Sequence, residues 1–312
     1  MKKGVIITAA VLLGAGLLIF VGGLFAGGNL PPVTYEAKSY AIGEPFTDIR
    51  LDTHERDIEF FPSADGTCSV ACAETEKNYV NVSVQNGVLT VTSVDERTWT
   101  DRLFMSADQP LQVRLPEMNY RTLTVESHTG DVTVPDGFSF KNIRITCSTG
   151  DVACSASASG AIEIATTTGD ISAEGVKADT LSLSVSTGRV HAASVDCAGD
   201  LSITVSTGES TLSDVSCRNL VTRGGTGDIT MEHVIAAETI SVERTTGDVR
   251  FAQCDAAELS VWTDTGDVTG SLLSEKVFLV KTDTGSVKVP DSASGGACRI
   301  TTDTGDIEIT IP

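Results

Sequence analysis

Aromatic residues are scarce, 5% of 312 positions with only two Trp, so no strip of ring faces of the kind that stacks sugars is visible. Basic residues are also few: 22 Lys and Arg stand against 42 Asp and Glu, for a formal net charge of -20. Phosphate backbones and anionic headgroups would be repelled over most of such a surface, which excludes nucleic acid as a partner. Eight cysteines without a CxxC pair are too sparse for a disulfide-dense scaffold and lack the spacing of structural zinc. The four histidines, His54, His128, His191 and His233, show no HxxH spacing and no ladder, so they read as surface residues and not as metal ligands. No GxSxG element, phosphate-cradling glycine loop or Cys/His nucleophile signature occurs. No catalytic residue, cofactor or enzymatic activity is therefore expected.

What is present is enough apolar material for a core, 41% of the chain, in a background of Gly, Ser, Thr, Val and Asp that favours strands and tight turns. The first such run is different in kind. Met1, Lys2 and Lys3 precede Gly4 to Gly28, a stretch without a charged residue. About twenty helical residues cross a hydrocarbon core of about 30 Å, whereas the apolar part of a cleaved signal spans about 7 to 15. Residues 4–28 are thus expected to be a single-pass membrane anchor. Lys2 and Lys3 place residues 1–3 inside, which sends the rest to the extracytoplasmic side. Pro31 and Pro32 make residues 29–35 a short linker that ends the helix.

The dipeptide Thr-Gly recurs in a regular series of ten, with glycines at Gly130, Gly150, Gly169, Gly188, Gly208, Gly227, Gly247, Gly266, Gly285 and Gly305, successive members 19 or 20 residues apart. Seven of these glycines precede Asp; the exceptions are Arg189, Glu209 and Ser286. Two residues after each glycine stands Val or Ile, with Ser210 the one polar exception, and seven and five residues before it stand pairs such as Leu181 and Leu183. Period two marks strands, and the glycine marks a corner between them. A second corner falls near Gly175–Ala178 and Asp214–Ser216. One such unit cannot bury its own apolar side, but stacked units bury a continuous column and pair every backbone edge. The expected fold is all-β: a single-stranded β-solenoid of about ten coils over residues 119–312, rising about 4.8 Å per coil to a rod of about 50 Å. Residues 36–118 carry strand patterns without clean repeats and read as an irregular cap. Thr53 to Phe60 resembles a decayed Thr-Gly-Asp-Val corner, so 36–312 reads as one continuous domain. The last coil, ending at Pro312, is expected to leave an open edge.

Thr-Gly-Asp has a structural reading, a corner whose side chains bond nearby backbone. It also has a functional one, in which Asp248, Asp264, Asp267, Asp283, Asp303 and Asp306 form a carboxylate ladder for a divalent cation; the turns match no known calcium loop. Cys197 and Cys217, twenty residues apart, should stack on adjacent coils within reach of a disulfide, with Cβ vectors that fit it poorly. Cys68 and Cys72 are a second candidate pair, while Cys254 and Cys298 fall at core positions.

Together the anchor, the IRLD opening (Ile49 to Asp52), the VRLPE segment (Val113 to Glu117) and the serial Thr-Gly-Asp-Val/Ile corners resemble the bacterial DUF4097 family, labelled "putative adhesin". They are also similar to the extracytoplasmic β domains of LiaG- and LiaF-like envelope-stress proteins. The resemblance implies a cell-surface β-solenoid and supplies no catalytic residues. The expected function is binding or scaffolding at the envelope, with an unidentified protein or glycan as partner. The alternatives are an envelope-stress sensing role and a polysaccharide-acting β-helix enzyme, the latter disfavoured because no insertion between corners builds a cleft wall.

Overall fold

The computed structural model describes residues 35–99 and 109–311, in which every named element is a strand, 26 in all. Glu36–Pro312 make up one compact unit. No helix among the described residues is long and apolar enough to cross a membrane; the segment 4–28, read as an anchor, lies outside them.

Each coil has three sides. In the clearest case, Thr180–Thr187 runs to the Gly188 corner, Val190–Cys197 turns at Ser194, and the chain bends again at Ala198–Gly199 before Asp200–Thr207 begins the next coil. Alternation sends Leu181, Leu183 and Val185, then Val190 and Ala192, then Val195 and Cys197 into a common interior, all buried. Stacking is parallel and in register, Leu181 on Leu201 and Val190 on Ser210. The sheets are therefore built from rungs distant in sequence, each rung closing the backbone edge of its neighbour.

The mixture of 19- and 20-residue spacings has a local cause. Between Ser210–Thr226 and Ile229–Thr246, Cys217 faces Ala236 but Asn219 faces Thr239; against Val249–Thr265 the slip reverses, Ala236 facing Ala256 and Thr239 facing Glu258. One extra residue is absorbed at the third corner, where no core side chain is displaced.

Two departures from simple winding stand at the ends. Asp48–Thr53 lies between Val88–Asp95 and Asn119–Thr129, pairing with both, so the N-terminal region threads its first regular strand under the coils that follow. The predicted decayed corner is real: Asp131 N–H donates to Asp57 Oδ1 at 2.9 Å, and Thr129 N–H to His54 O at 2.8 Å. Above it the cap closes with antiparallel pairs, Glu36–Ile42 on Cys68–Glu74 and Asn78–Gln85 on Val88–Asp95. At the other end the order of the rungs is not the order of the chain. Gly296–Thr304 pairs on one side with Val249–Thr265 and on the other with Lys276–Thr284. The rung leading to Pro312 is thus interior, and the open edge expected there belongs instead to Lys276–Thr284 and Val287–Lys288.

Candidate functional site

The corner ladder is the one chemical pattern repeated along the surface. At Gly169, φ is +135°, and a Cβ there would collide with the carbonyl of Gly150 one rung away. Glycine is needed both for the conformation and for the close stacking. Backbone bonds account for most of each corner: Gly150 N–H donates to Thr168 O and Val152 N–H to Asp170 O, each at 2.9 Å. The N–H of the Asp itself is left over, and the neighbouring rung's Asp accepts it. Asp131 Oδ1 takes the N–H of Asp151 at 2.8 Å, and Asp151 Oδ1 that of Asp170 at 2.7 Å. Asp170 serves the N–H of Arg189 at 2.8 Å. A second run passes from Asp228 through Asp248 and Asp267 to Asp306, which serves Ser286 N–H at 2.7 Å. Asp fits because a carboxylate on one methylene reaches one rung and no farther.

This arrangement defines what the predicted cation ladder is. Asp248, Asp267 and Asp306 stand on successive rungs, each with one oxygen committed to a backbone N–H. Asp264, Asp303 and Asp283 stack beside them, as the register of Thr265, Thr304 and Thr284 requires, and Asp283 pairs with Lys281 at 2.7 Å. Among the described residues no group of three or more His, Cys, Asp or Glu is placed to hold a metal ion. Hydrogen bonding leaves its mark on the charges. The Asp248 N–H, followed by Arg250, holds Asp228 below the ordinary carboxylate value against the opposing effect of burial. The backbone and hydroxyl of Ser286 do the same for Asp306.

A second ladder runs just inside the first. Three residues before the glycine, Thr166 Oγ1 donates to Gly150 O at 3.2 Å and Thr302 Oγ1 to Gly266 O at 3.1 Å; Cys147 Sγ makes a longer contact to Gly130 O at 3.5 Å. In this column stands Arg244, fully buried. Its guanidinium lies over Gly224, where any Cβ would clash with it, and donates to Val205 O at 2.9 Å and Ser210 Oγ at 3.0 Å. Ser210, the polar exception of the repeat, is therefore the partner of a buried cation. Burial depresses the Arg244 pKa from its ordinary value, and its Nε has no hydrogen-bond partner.

All eight cysteines are free and buried. Cys197 and Cys217 do share a column, between Ala178 and Ala236, but as thiols and not as the disulfide considered above. The column accommodates small side chains pointing the same way, which leaves the two sulfurs side by side in direction instead of opposed. Cys68 and Cys72 are likewise unlinked. Burial pushes Cys68 and Cys72 up to about 11 and Cys217 and Cys298 up to about 12, far from a reactive thiolate.

All four histidines are exposed, as read, and one pair departs from the reading by forming a short ladder. His54 and His128 stack on adjacent rungs with ring centroids 4.9 Å apart. His233 occupies the second corner between Asp214, at 3.4 Å, and Gln253, at 2.5 Å. That corner is held by residues in the left-handed region, Ser194, Asp214, His233 and Gln253, all with φ of 51° to 54°. Beside the main corner, Asp131, Asp151, Asp170, Arg189, His191 and Glu209 border a shallow open trough of about 560 Å³. Its walls are the strands themselves, and among the described residues no loop lines it.

The sequence profile described as Toastrack DUF4097 matches residues 46–209 and again 196–312. The chain belongs to the DUF4097, or Toastrack, family. Its double match reflects the repeat: one long solenoid accommodates the family pattern twice. Among solved structures it is similar to a "putative adhesin" from Bacteroides fragilis at 13% identity, covering 91% of this chain and all of that one, with a TM-score of 0.45. A "putative adhesin" from Parabacteroides distasonis is 12% identical over 89% of this chain and 98% of its own, TM-score 0.47. A "putative lipid binding protein" from the same species is 12% identical over 88% and 97%, TM-score 0.41. No curated protein matches the chain.

Proposed function

We propose that this Toastrack protein is a membrane-anchored, extracytoplasmic binding scaffold of adhesin-like type that performs no catalysis. The observation that carries this reading is the corner ladder. The most frequently repeated reactive group on the surface, the Asp carboxylate, is tied rung by rung to backbone N–H groups. A hydrolase needs two carboxylates in different environments at a fixed separation; here each carboxylate repeats its neighbour's environment. What such a surface offers a partner is area and periodicity. The uncharged run at 4–28 supplies the anchor and Lys2 and Lys3 its orientation, and the partner is a protein or glycan of the cell surface.

Two measurements on the full chain reconstituted in vesicles test the reading. Protease added outside oriented vesicles should remove a C-terminal tag, and the same vesicles should adhere to immobilised envelope glycan or protein only while the body is intact. Release of soluble sugar from those surfaces, or a protected tag, would contradict it.

A further inference from the structure

The rung that closes the C-terminal end of the stack differs from all others. Lys276–Thr284 pairs on one side only, with Gly296–Thr304, so a row of backbone donors and acceptors faces outward. Its core positions are uncovered as well. Val287 is 45% exposed, whereas Ile307 and Val268, at the same place on the next two rungs, are 0% exposed. Phe278 and Val280 are only partly buried, and Leu279 is 54% exposed. The apolar interior of the solenoid thus opens to solvent as a cross-section, and this is the kind of edge that recruits another strand.

Three observations select the occupant. The first is charge. The chain as a whole carries -20, yet Glu275 to Asp291 contains three acids and three lysines, so two copies that repel elsewhere meet here without net repulsion. The second is the corner. Ser286 offers no Asp carboxylate to the N–H of a further rung, as at the Arg189 and Glu209 corners, where stacking nonetheless continues; what marks this rung off is Pro290, which has no N–H and ends the short second side after Lys288. Continued parallel stacking of that side is discouraged by Pro290, while the longer strand Lys276–Thr284 stays free. The third is the other end. Among the described residues the cap finishes in antiparallel pairs, Glu36–Ile42 and Asn78–Gln85, which do not repeat the parallel three-sided rung of the C-terminal end. The cross-section that matches this end in shape is the same end of a second copy.

We propose that two copies associate end to end about a two-fold axis, Lys276–Thr284 of one pairing antiparallel with the same strand of the other. The axis that superimposes the two three-sided cross-sections passes near the middle of this strand, at Val280. Val280 then meets the partner's Val280, and Phe278 lies opposite the partner's Thr282. On the outer face Leu279 lies under the aliphatic stem of the partner's Lys281. The contact is isologous and uses up the edge, so assembly closes at two and does not run on into a fibre. The pair would display two bodies in opposite directions, joining two surfaces or bridging within one, and it holds whether the scaffold's own partner is a protein or a glycan.

The test compares the full chain in detergent micelles with a variant carrying Leu279→Lys and Val287→Asp, both at exposed positions, by light scattering after size exclusion over a concentration series. Circular dichroism confirms that both melt alike. The expected result is a dimer for the parent chain and self-association weakened by about tenfold or more in the variant, with backbone amides of Lys276–Thr284 gaining hydrogen-exchange protection as concentration rises. A parent chain that stays monomeric overturns the proposal and leaves the edge to a foreign strand. A dimer undiminished in the variant also overturns it, because association then runs through the anchor or another face.

Discussion

At the residue scale, two side chains illustrate what a repeat permits and what it punishes. The corner Asp was readable in kind: its recurrence after glycine announces a local backbone role, and the structure makes it the acceptor for one leftover N–H per rung. Because Asp228 and Asp306 titrate below the ordinary value, the stability they contribute is complete above the unfolded carboxylate pKa and is lost as pH falls below about 4. Asp228→Asn should therefore lower the melting temperature at neutral pH and flatten its decline in acid, as measured by thermal denaturation across pH 2 to 7. Arg244 was not readable. Nothing in its neighbours' spacing signals a buried guanidinium; only the conjunction of a glycine at 224, a serine at 210 and an arginine at 244, one per rung at core positions, carries the trace. A buried cation bonded to neutral acceptors is costly to desolvate. Arg244→Met combined with Ser210→Val should match or exceed the parent in stability, by up to about 4 kcal/mol. Arg244→Ala alone should lose about 2 to 4 kcal/mol through the cavity and the stranded hydroxyl. Urea denaturation of the parent and the two variants measures the difference.

At the scale of the element, strands and corners were legible because they rest on local chemistry: period two for the strands, positive φ for the glycines. The second corner was partly so. Gly175 and Asp214 belong there, as the sequence suggests, but Ser194, His233 and Gln253 occupy the same left-handed conformation without a residue type that advertises it. The His54 and His128 ladder was legible in principle. Aligning Thr53 to Ile58 with Ser127 to Val132 sets one histidine on the other, and only the absence of a glycine at Arg56 conceals the match. The order of the last rungs is another matter, since pairing partners 20 or 40 residues away satisfy the same hydrogen bonds and the same apolar pattern. Ser286, the corner with no successor to serve, lacks Asp, but so do Arg189 and Glu209, whose successors are in place, so this signal does not single out the end of the stack. Because Gly296–Thr304 lies between two rungs, deleting residues 296–312 should free Lys276–Thr284 as well. Hydrogen exchange on such a truncation should show Lys276–Lys288 unprotected while the coils up to Thr246 keep their protection.

At the scale of the whole molecule, the surface charge of -20 destabilises the compact body by self-repulsion that salt screens. Millimolar calcium should raise the melting temperature of the full chain no further than magnesium at the same ionic strength, because the stacked carboxylates are committed to backbone donors and offer no six-oxygen cage. A calcium-specific rise would restore the ladder as a cation site. Solenoid stability is carried by nearest neighbours, and that makes the interleaved C-terminal rung a matter of timing as well as contact. A chain emerging from its N-terminal side can add coils one after another, each onto a finished predecessor. Residues 276–288 arrive before their own seat exists, since it is completed only by residues 296–311, which come later. They must wait beside the stack until residues 296–311 slip in beneath them, so this step of assembly resembles the locking of a clasp more than the laying of another course, and a chain cut between the two segments forfeits the rung before the cut along with the rung after it.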